Sequence, residues 1–130
     1  MSKLNAVQFI VNDLQLAENF ELHEFACKDG TPDIILDMRL VSKLQELRWK
    51  INKPITITSG YRNPEYNKEV DGVPDSQHLL GKAADIRVVG MTPTELSRYA
   101  KMVGFNGIGI YERKNFLHVD VRDEESHWIG

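Results

Sequence analysis

The sequence predicts a single α+β domain in which helices cover one face of an antiparallel sheet. Three observations lead there. Two stretches, 33–50 and 92–104, carry apolar residues at helical spacing. Four short runs, 55–58, 84–89, 107–111 and 116–122, are rich in β-branched and apolar residues. The last two are joined by the short polar turn Glu112-Arg113-Lys114-Asn115. With 130 residues there is room for one genuine core and not for two. The expected organisation is one domain over 1–130, with 1–17 an N-terminal extension and 123–130 a polar tail.

Taken in order, the first 20 residues are weakly patterned. Val7, Phe9, Ile10, Val11, Leu14 and Leu16 suit a strand, a helix or a segment laid over the core. Lys28-Asp29-Gly30-Thr31-Pro32 breaks the chain with turn residues. From Asp33 to Lys50, Leu36, Leu40, Val41, Leu44 and Leu47 form one apolar stripe, which is core. Asn52-Lys53-Pro54 ends that helix, and Ile55-Thr56-Ile57-Thr58 is a strand with a sharp exit at Ser59-Gly60-Tyr61-Arg62-Asn63-Pro64. A loop then runs through Asn67, Asp71-Gly72 and Pro74. Ala84–Val89 reads as a strand that begins beside Asp85. Thr92-Pro93-Thr94-Glu95 is a helix start, with a capping threonine, proline at the first helical position and glutamate three residues on. Gly104 supplies the stop. The tail Asp123-Glu124-Glu125-Ser126-His127-Trp128 is polar and expected to be loosely held.

The bulk properties narrow the function. A net charge of −3 with mixed signs offers no footprint for nucleic acid. No run approaches the roughly 18 apolar residues of a membrane span. The N-terminus lacks the apolar stretch of a secretory signal, so synthesis in the cytoplasm is expected. Cys27 is the only cysteine, which excludes an intrachain disulfide and a thiolate cluster. A metal here is held by nitrogen and oxygen.

The candidate chemistry sits in Ser76-Gln-His-Leu-Leu-Gly-Lys-Ala-Ala-Asp85, with a second histidine in Phe116-Leu-His-Val-Asp-Val-Arg122. His78, Asp85 and His118 are two imidazoles and a carboxylate. Three protein ligands leave tetrahedral zinc one open position, the catalytic arrangement. Strand alternation puts His118 and Asp120 on one face and Leu117, Val119 and Val121 on the other. Asp120 is thereby a carboxylate able to orient a ligand or take a proton from an attacking water. Arg62, at a strand exit, is a candidate for holding an anionic substrate group or a developing oxyanion.

Ser59-Gly60-Tyr61-Arg62, Asn67, Ser76-x-His78-x-x-Gly81-x-Ala83-x-Asp85, Gly109-x-Tyr111 and His118-Val119-Asp120-Val121-Arg122 together resemble one family. It comprises the zinc peptidases that cut D-alanyl-D-alanine and L-alanyl-D-glutamate bonds in bacterial cell walls, whose fold hedgehog signalling domains share. Phe20-x-Leu22-x-Glu24-Phe25 resembles the opening of a small phage and bacterial branch. The likeness covers 18–122. It implies a sheet with a zinc site in its cleft and helices on the other face, His78, Asp85 and His118 as ligands, Arg62 as substrate or oxyanion residue, and Ser76 close to the site.

Two positions depart from the family pattern. Relatives carry an acidic residue three before the last ligand, or a histidine two before it; here Asn115 and Phe116 stand there. The general base is then Asp120, first choice, or Glu112, at the acidic position of hedgehog domains. A site with neither in reach points to a weak or purely binding role. The expected function is hydrolysis of a peptide bond in peptidoglycan stem peptides by a monomer acting at the cell wall, as a phage- or prophage-encoded endolysin or part of a virion. Its rivals are a non-catalytic zinc module of hedgehog type, an iron(II) oxygenase using His118, Asp120 and His127, and a metal-free structural domain.

Overall fold

The computed structural model describes the backbone of Val7–Phe9 and residues 14–130; Ile10 and Val11 lie outside the described residues. The elements run β1 (Val7–Phe9), β2 (Gln15–Ala17), β3 (Phe20–Glu21), β4 (Ile34–Leu36), α1 (Met38–Ile51), β5 (Thr56–Ser59), α2 (Pro64–Glu69), β6 (Ala83–Arg87), α3 (Pro93–Val103), β7 (Gly107–Tyr111), β8 (Phe116–Asp120) and β9 (Ser126–Ile129). Short 3-10 helices cover Leu22–Phe25 and Gln77–Leu80. β1 pairs with β4 and β2 with β3, both antiparallel. None of the described helices is long and apolar enough to cross a membrane.

The main sheet has the order β5-β6-β8-β7-β9. Its first three pairings are antiparallel, as expected, but β9 runs parallel to β7, so the sheet is mixed. The segment expected to be a loose tail is therefore an edge strand. The chain leaves β8, crosses the end of β7 and turns back along its free edge. Asn106 holds that crossing: its side-chain amide donates to Arg122 O at 2.8 Å, and its main-chain carbonyl accepts from Ser126 N at 2.9 Å.

The helices lie where the apolar stripes predict. α3 packs on β7, β8 and α1. Leu40, Leu44 and Leu47 of α1, Leu96 and Ala100 of α3, and Ile86, Ile108, Leu117 and Val119 of the sheet share one buried core. Full burial of each leucine or isoleucine contributes about 1.5–3 kcal/mol. That core fixes which sheet face is apolar and turns His118 and Asp120 to the opposite side. Two boundaries differ from the sequence reading. Helix α1 begins at Met38 because Ile34-Ile35-Leu36 pairs as a strand and Asp37 caps the helix. The loop after β5 contains the short helix α2, started by Asn63, whose side chain accepts from Tyr66 N at 2.8 Å, and by Pro64 at the first position.

Asp37 couples the core to the motif loop. Its carboxylate accepts from Arg39 N at 2.9 Å and from the Arg39 guanidinium at 2.6 Å, while its own N–H donates to Gly81 O at 2.9 Å. Burial works against the charged carboxylate, but the Arg39 hydrogen bonds and charge outweigh it and hold the pKa below its ordinary value. A lowered folded pKa contributes stability above the unfolded value and loses it as pH falls. Asp37→Ala should therefore cost about 1–2 kcal/mol near neutral pH, measured by urea unfolding. The gap to wild type should shrink below about pH 4; a gap that stays constant into acid would mean that the carboxylate charge is not the stabilising element.

Candidate metal centre and cleft

Sheet register builds the centre. Asp85 on β6 sits directly across from His118 on β8 and beside Ser59 on β5. His78 arrives from the 3-10 helix Gln77–Leu80, whose cap Ser76 accepts from His78 N at 3.1 Å. All three side chains are buried. One nitrogen or oxygen of each lies within 4.8 Å of the others, the single such grouping among the described residues.

The outer atoms of the three are tethered, and this decides what the inner atoms present. His78 Nδ1 lies 2.7 Å from Gly60 O, which can only accept, so Nδ1 carries the proton and Nε2 a lone pair. His118 Nε2 lies 2.7 Å from Asp120 Oδ2, which likewise places a proton there and, in the neutral ring, leaves Nδ1 bare. Asp85 Oδ2 accepts from Arg62 Nη2 at 3.2 Å. What remains is Asp85 Oδ1, 3.2 Å from His78 Nε2 and 3.1 Å from His118 Nδ1. Three lone-pair atoms facing one another call for a cation between them. Ligands about 2.0–2.1 Å from a tetrahedral zinc stand roughly 3.3 Å apart, so the donor set and the two spacings from Asp85 Oδ1 fit that ion. A proton on the inner nitrogens can stand in for that cation, and the titration of the groups follows from that protonated arrangement. Burial opposes charge on Asp85, yet the hydrogen bonds and charge of His118 and His78 hold its carboxyl well below the usual range. Burial opposes charge on His118 too, and Asp120 and Asp85 push its pKa up regardless.

The centre lies in a cleft of about 460 Å³, whose lining includes Arg62, Ser76, His78, Asp85 and His118. Arg62 reaches the cleft, but three of its nitrogens are committed: Nε to Ser59 Oγ at 3.1 Å, Nη1 to Asn67 Oδ1 at 3.1 Å, and Nη2 to Asp85. Neither expected proton acceptor stands in the lining. Asp120 is fully buried behind His118, with Arg122 Nε at 2.8 Å from Oδ1 and Nη2 at 2.7 Å from Oδ2. Burial opposes its charge, but the bonds from Arg122 and His118 hold its carboxyl well below the usual range, which suits an acceptor of fixed hydrogen bonds. Alternation placed Asp120 on the face of His118; it could not tell that Arg122 grips it from two nitrogens. Exposed Glu112 accepts from the backbone and hydroxyl of Thr94 at the start of α3. His127 is exposed on β9 and lies outside the three-residue grouping, so the described structure does not assemble a triad of His118, Asp120 and His127.

The sequence reading gave no role to Arg122 or Trp128, and both line the cleft. Trp128 donates from Nε1 to Tyr111 Oη at 2.9 Å, lies 5.1 Å from the His118 ring and carries Arg122 Cζ 5.2 Å from its own ring. It lies flat over β7 because Gly109 has no side chain; a Cβ there would strike the indole. A Cβ on Gly107 would strike the Asp120 carboxylate in the same way. The available signal was this pair of glycines at alternate positions of a strand.

A family model described as Peptidase M15 matches residues 16–120. The chain belongs to the peptidase M15 family. It is 29% identical over 100 residues to the peptidoglycan L,D-endopeptidase MepK of Escherichia coli K12, a match covering 72% of this chain and 54% of that protein. A probable MepK of Haemophilus influenzae is 30% identical over 93 residues, covering 65% of this chain and 50% of the relative. The zinc D-Ala-D-Ala carboxypeptidase of Streptomyces albus G is 36% identical over 67 residues, 51% of this chain and 26% of that enzyme. The chain thus spans about half the length of the MepK relatives it matches.

Removing one member of a buried ion pair leaves the other charge stranded, at a cost of about 3–5 kcal/mol. Arg62→Ala should destabilise the protein by that order, read by urea unfolding. A loss below about 0.5 kcal/mol, as at an exposed pair, would show that Arg62 does not hold Asp85.

Proposed function

We propose that this M15 family member is a zinc-dependent peptidase that hydrolyses a peptide bond in the stem peptides of bacterial peptidoglycan. The observation that carries the reading is the convergence of His78 Nε2, Asp85 Oδ1 and His118 Nδ1 at the cleft, each with its opposite atom already bonded. Zinc bound there supplies a Lewis acid and a means of generating a nucleophile at neutral pH. The names of the relatives, a peptidoglycan L,D-endopeptidase and a zinc D-Ala-D-Ala carboxypeptidase, support both the metal and the substrate class.

The chain's own residues divide the remaining work. Arg62 pins Asp85 to a single ligating oxygen and holds positive charge at the cleft, where it steadies charge that develops on a substrate oxygen. Ser76 positions His78 through its backbone and offers a hydroxyl to the cleft. Asp120 orients His118 and fixes its tautomer, a positioning role in place of the base role expected for it. Besides Asp85, the carboxylates that line the cleft are Asp71 and Asp75. A zinc-holding binding module of hedgehog type is the second reading, favoured by the absence of Asp120 and Glu112 from the cleft lining.

Metal-replete protein should hold about one zinc per chain by elemental analysis, and His78→Ala should lose it. Digestion of purified peptidoglycan, with mass spectrometry of the fragments, should show cleavage that stops on chelation. Zinc binding with no fragments released would favour the binding module. Asp120→Asn should weaken zinc by about ten- to a hundredfold, and Glu112→Gln should leave turnover as it was. Unchanged zinc affinity in Asp120→Asn, with turnover lost, would return Asp120 to the role of base.

A further inference from the structure

Two arginines line the cleft, and only one has a guanidinium nitrogen with no hydrogen bond among the described residues. Each guanidinium nitrogen of Arg62 already donates once, to Ser59, Asn67 or Asp85, and its side chain is 13% exposed. Arg122 is 28% exposed. Its Nε and Nη2 grip Asp120, and Asp120 Oδ1 also accepts from the Arg122 backbone N–H at 3.1 Å, which locks the plane of the guanidinium. Nη1 makes no hydrogen bond among the described residues. Trp128 packs against the group at 5.2 Å and is itself anchored on Tyr111. Asp75, the cleft carboxylate whose charge Arg122 feels, forms no hydrogen bond with it among the described residues. A rigid, part-desolvated guanidinium that lines a cleft and keeps one nitrogen unbonded is suited to receive an anion.

We propose that Arg122, backed by Trp128, binds the free α-carboxylate that the substrate carries just past the bond to be cut. The proposal rests on the peptidase reading and adds the substrate group recognised. Both bond types suggested by the family likeness present such a group. A D-alanyl-D-alanine terminus ends in one. An L-alanyl-D-glutamate bond is followed by one where the glutamate continues the chain through its side-chain carboxyl. Arg122 shares Asp120 with His118, since Oδ2 accepts from both at 2.7 Å. The receptor is therefore one side chain removed from the metal ligands and held in fixed relation to them.

The test uses the zinc-loaded protein carrying Trp49→Phe, which leaves Trp128 as the sole tryptophan and changes only an exposed α1 residue outside the cleft. Two pairs are compared: a stem-type peptide ending in D-Ala-D-Ala with its C-terminal carboxamide, and a stem-type peptide with the same peptide amidated at the glutamate α-carboxyl. Binding is read from Trp128 fluorescence in the first moments after mixing, and cleavage from kcat/KM. The carboxylate peptide should be preferred by roughly ten- to a hundredfold, Arg122→Gln should abolish the preference, and Arg122→Lys should keep part of it. No preference in either pair for the parent protein overturns the proposal, whether or not the variants fold. A preference that survives in Arg122→Gln, with both peptides weakened alike, also overturns it and leaves Arg122 as a prop for Asp120. Preferential binding that needs Arg122, with no cleavage of any peptide or of purified peptidoglycan, upholds the receptor and sinks the peptidase reading. Cleavage indifferent to the carboxylate does the reverse.

Discussion

The structure turns on the carboxylate of Asp85. It is a buried anion on a central strand, and a buried anion persists only where it is paired on every side. Arg62 takes one oxygen, and the other needs the cation, a metal ion or a proton, that it shares with the two histidine nitrogens. Each partner comes from a different part of the chain: the exit of β5, the 3-10 turn before β6, and the middle of β8. The packing of those three segments brings the ligand set together, and their sequence separation explains why no short peptide of this chain could reproduce it.

The sheet face opposite the helices is consequently polar, and it needs cover. The Trp128 side chain, brought in by pairing of β9 with the free edge of β7, supplies part of it. Trp128 lies over Gly109, and the Asp120 carboxylate occupies the space above Gly107. The wall of the cleft is thus made by the last strand of the chain, while its floor is made by strands placed earlier. Through Asp120, the wall and the floor share a carboxylate: His118 on one side and Arg122 on the other.

Much of this was legible in the sequence. The stripes at Leu40, Leu44 and Leu47 and at Leu96 and Ala100 specify helices because their spacing matches one helical face. Thr92 and Glu95 mark a helix start because a capping box needs those groups three residues apart. His78, Asp85 and His118 stood out by residue type and by family resemblance, and the structure brings them together. The illegible parts depend on distant partners. Ser126-His127-Trp128-Ile129 has no strong strand preference of its own and becomes a strand because β7 offers an open edge. The expected wholly antiparallel sheet fails at that one pairing. Period-two alternation gave the face of Asp120 correctly, but a face does not say which ring nitrogen of His118 the carboxylate meets, or what lies on top of it. Arg62 looked free for a substrate because nothing local in the sequence reveals Asn67 and Asp85 as its acceptors.

The tautomers of the two histidines give the arrangement its direction. A free neutral imidazole has its proton on either nitrogen, and only one form can offer a given lone pair to a cation. Gly60 O settles the choice for His78, and the Asp120 carboxylate settles it for His118. The two locks differ in strength, because a bond to a buried carboxylate is charge-assisted and one to a carbonyl is not. Asp120 can serve as the stronger lock only while its own charge is held, and the Arg122 fork holds it. The negative charge on Asp120 thus keeps His118 turned toward Asp85, and the guanidinium that stabilises Asp120 lines the cleft and keeps one nitrogen unbonded among the described residues. Orientation of a ligand from behind and presentation of a cation in front are two consequences of the same ion pair.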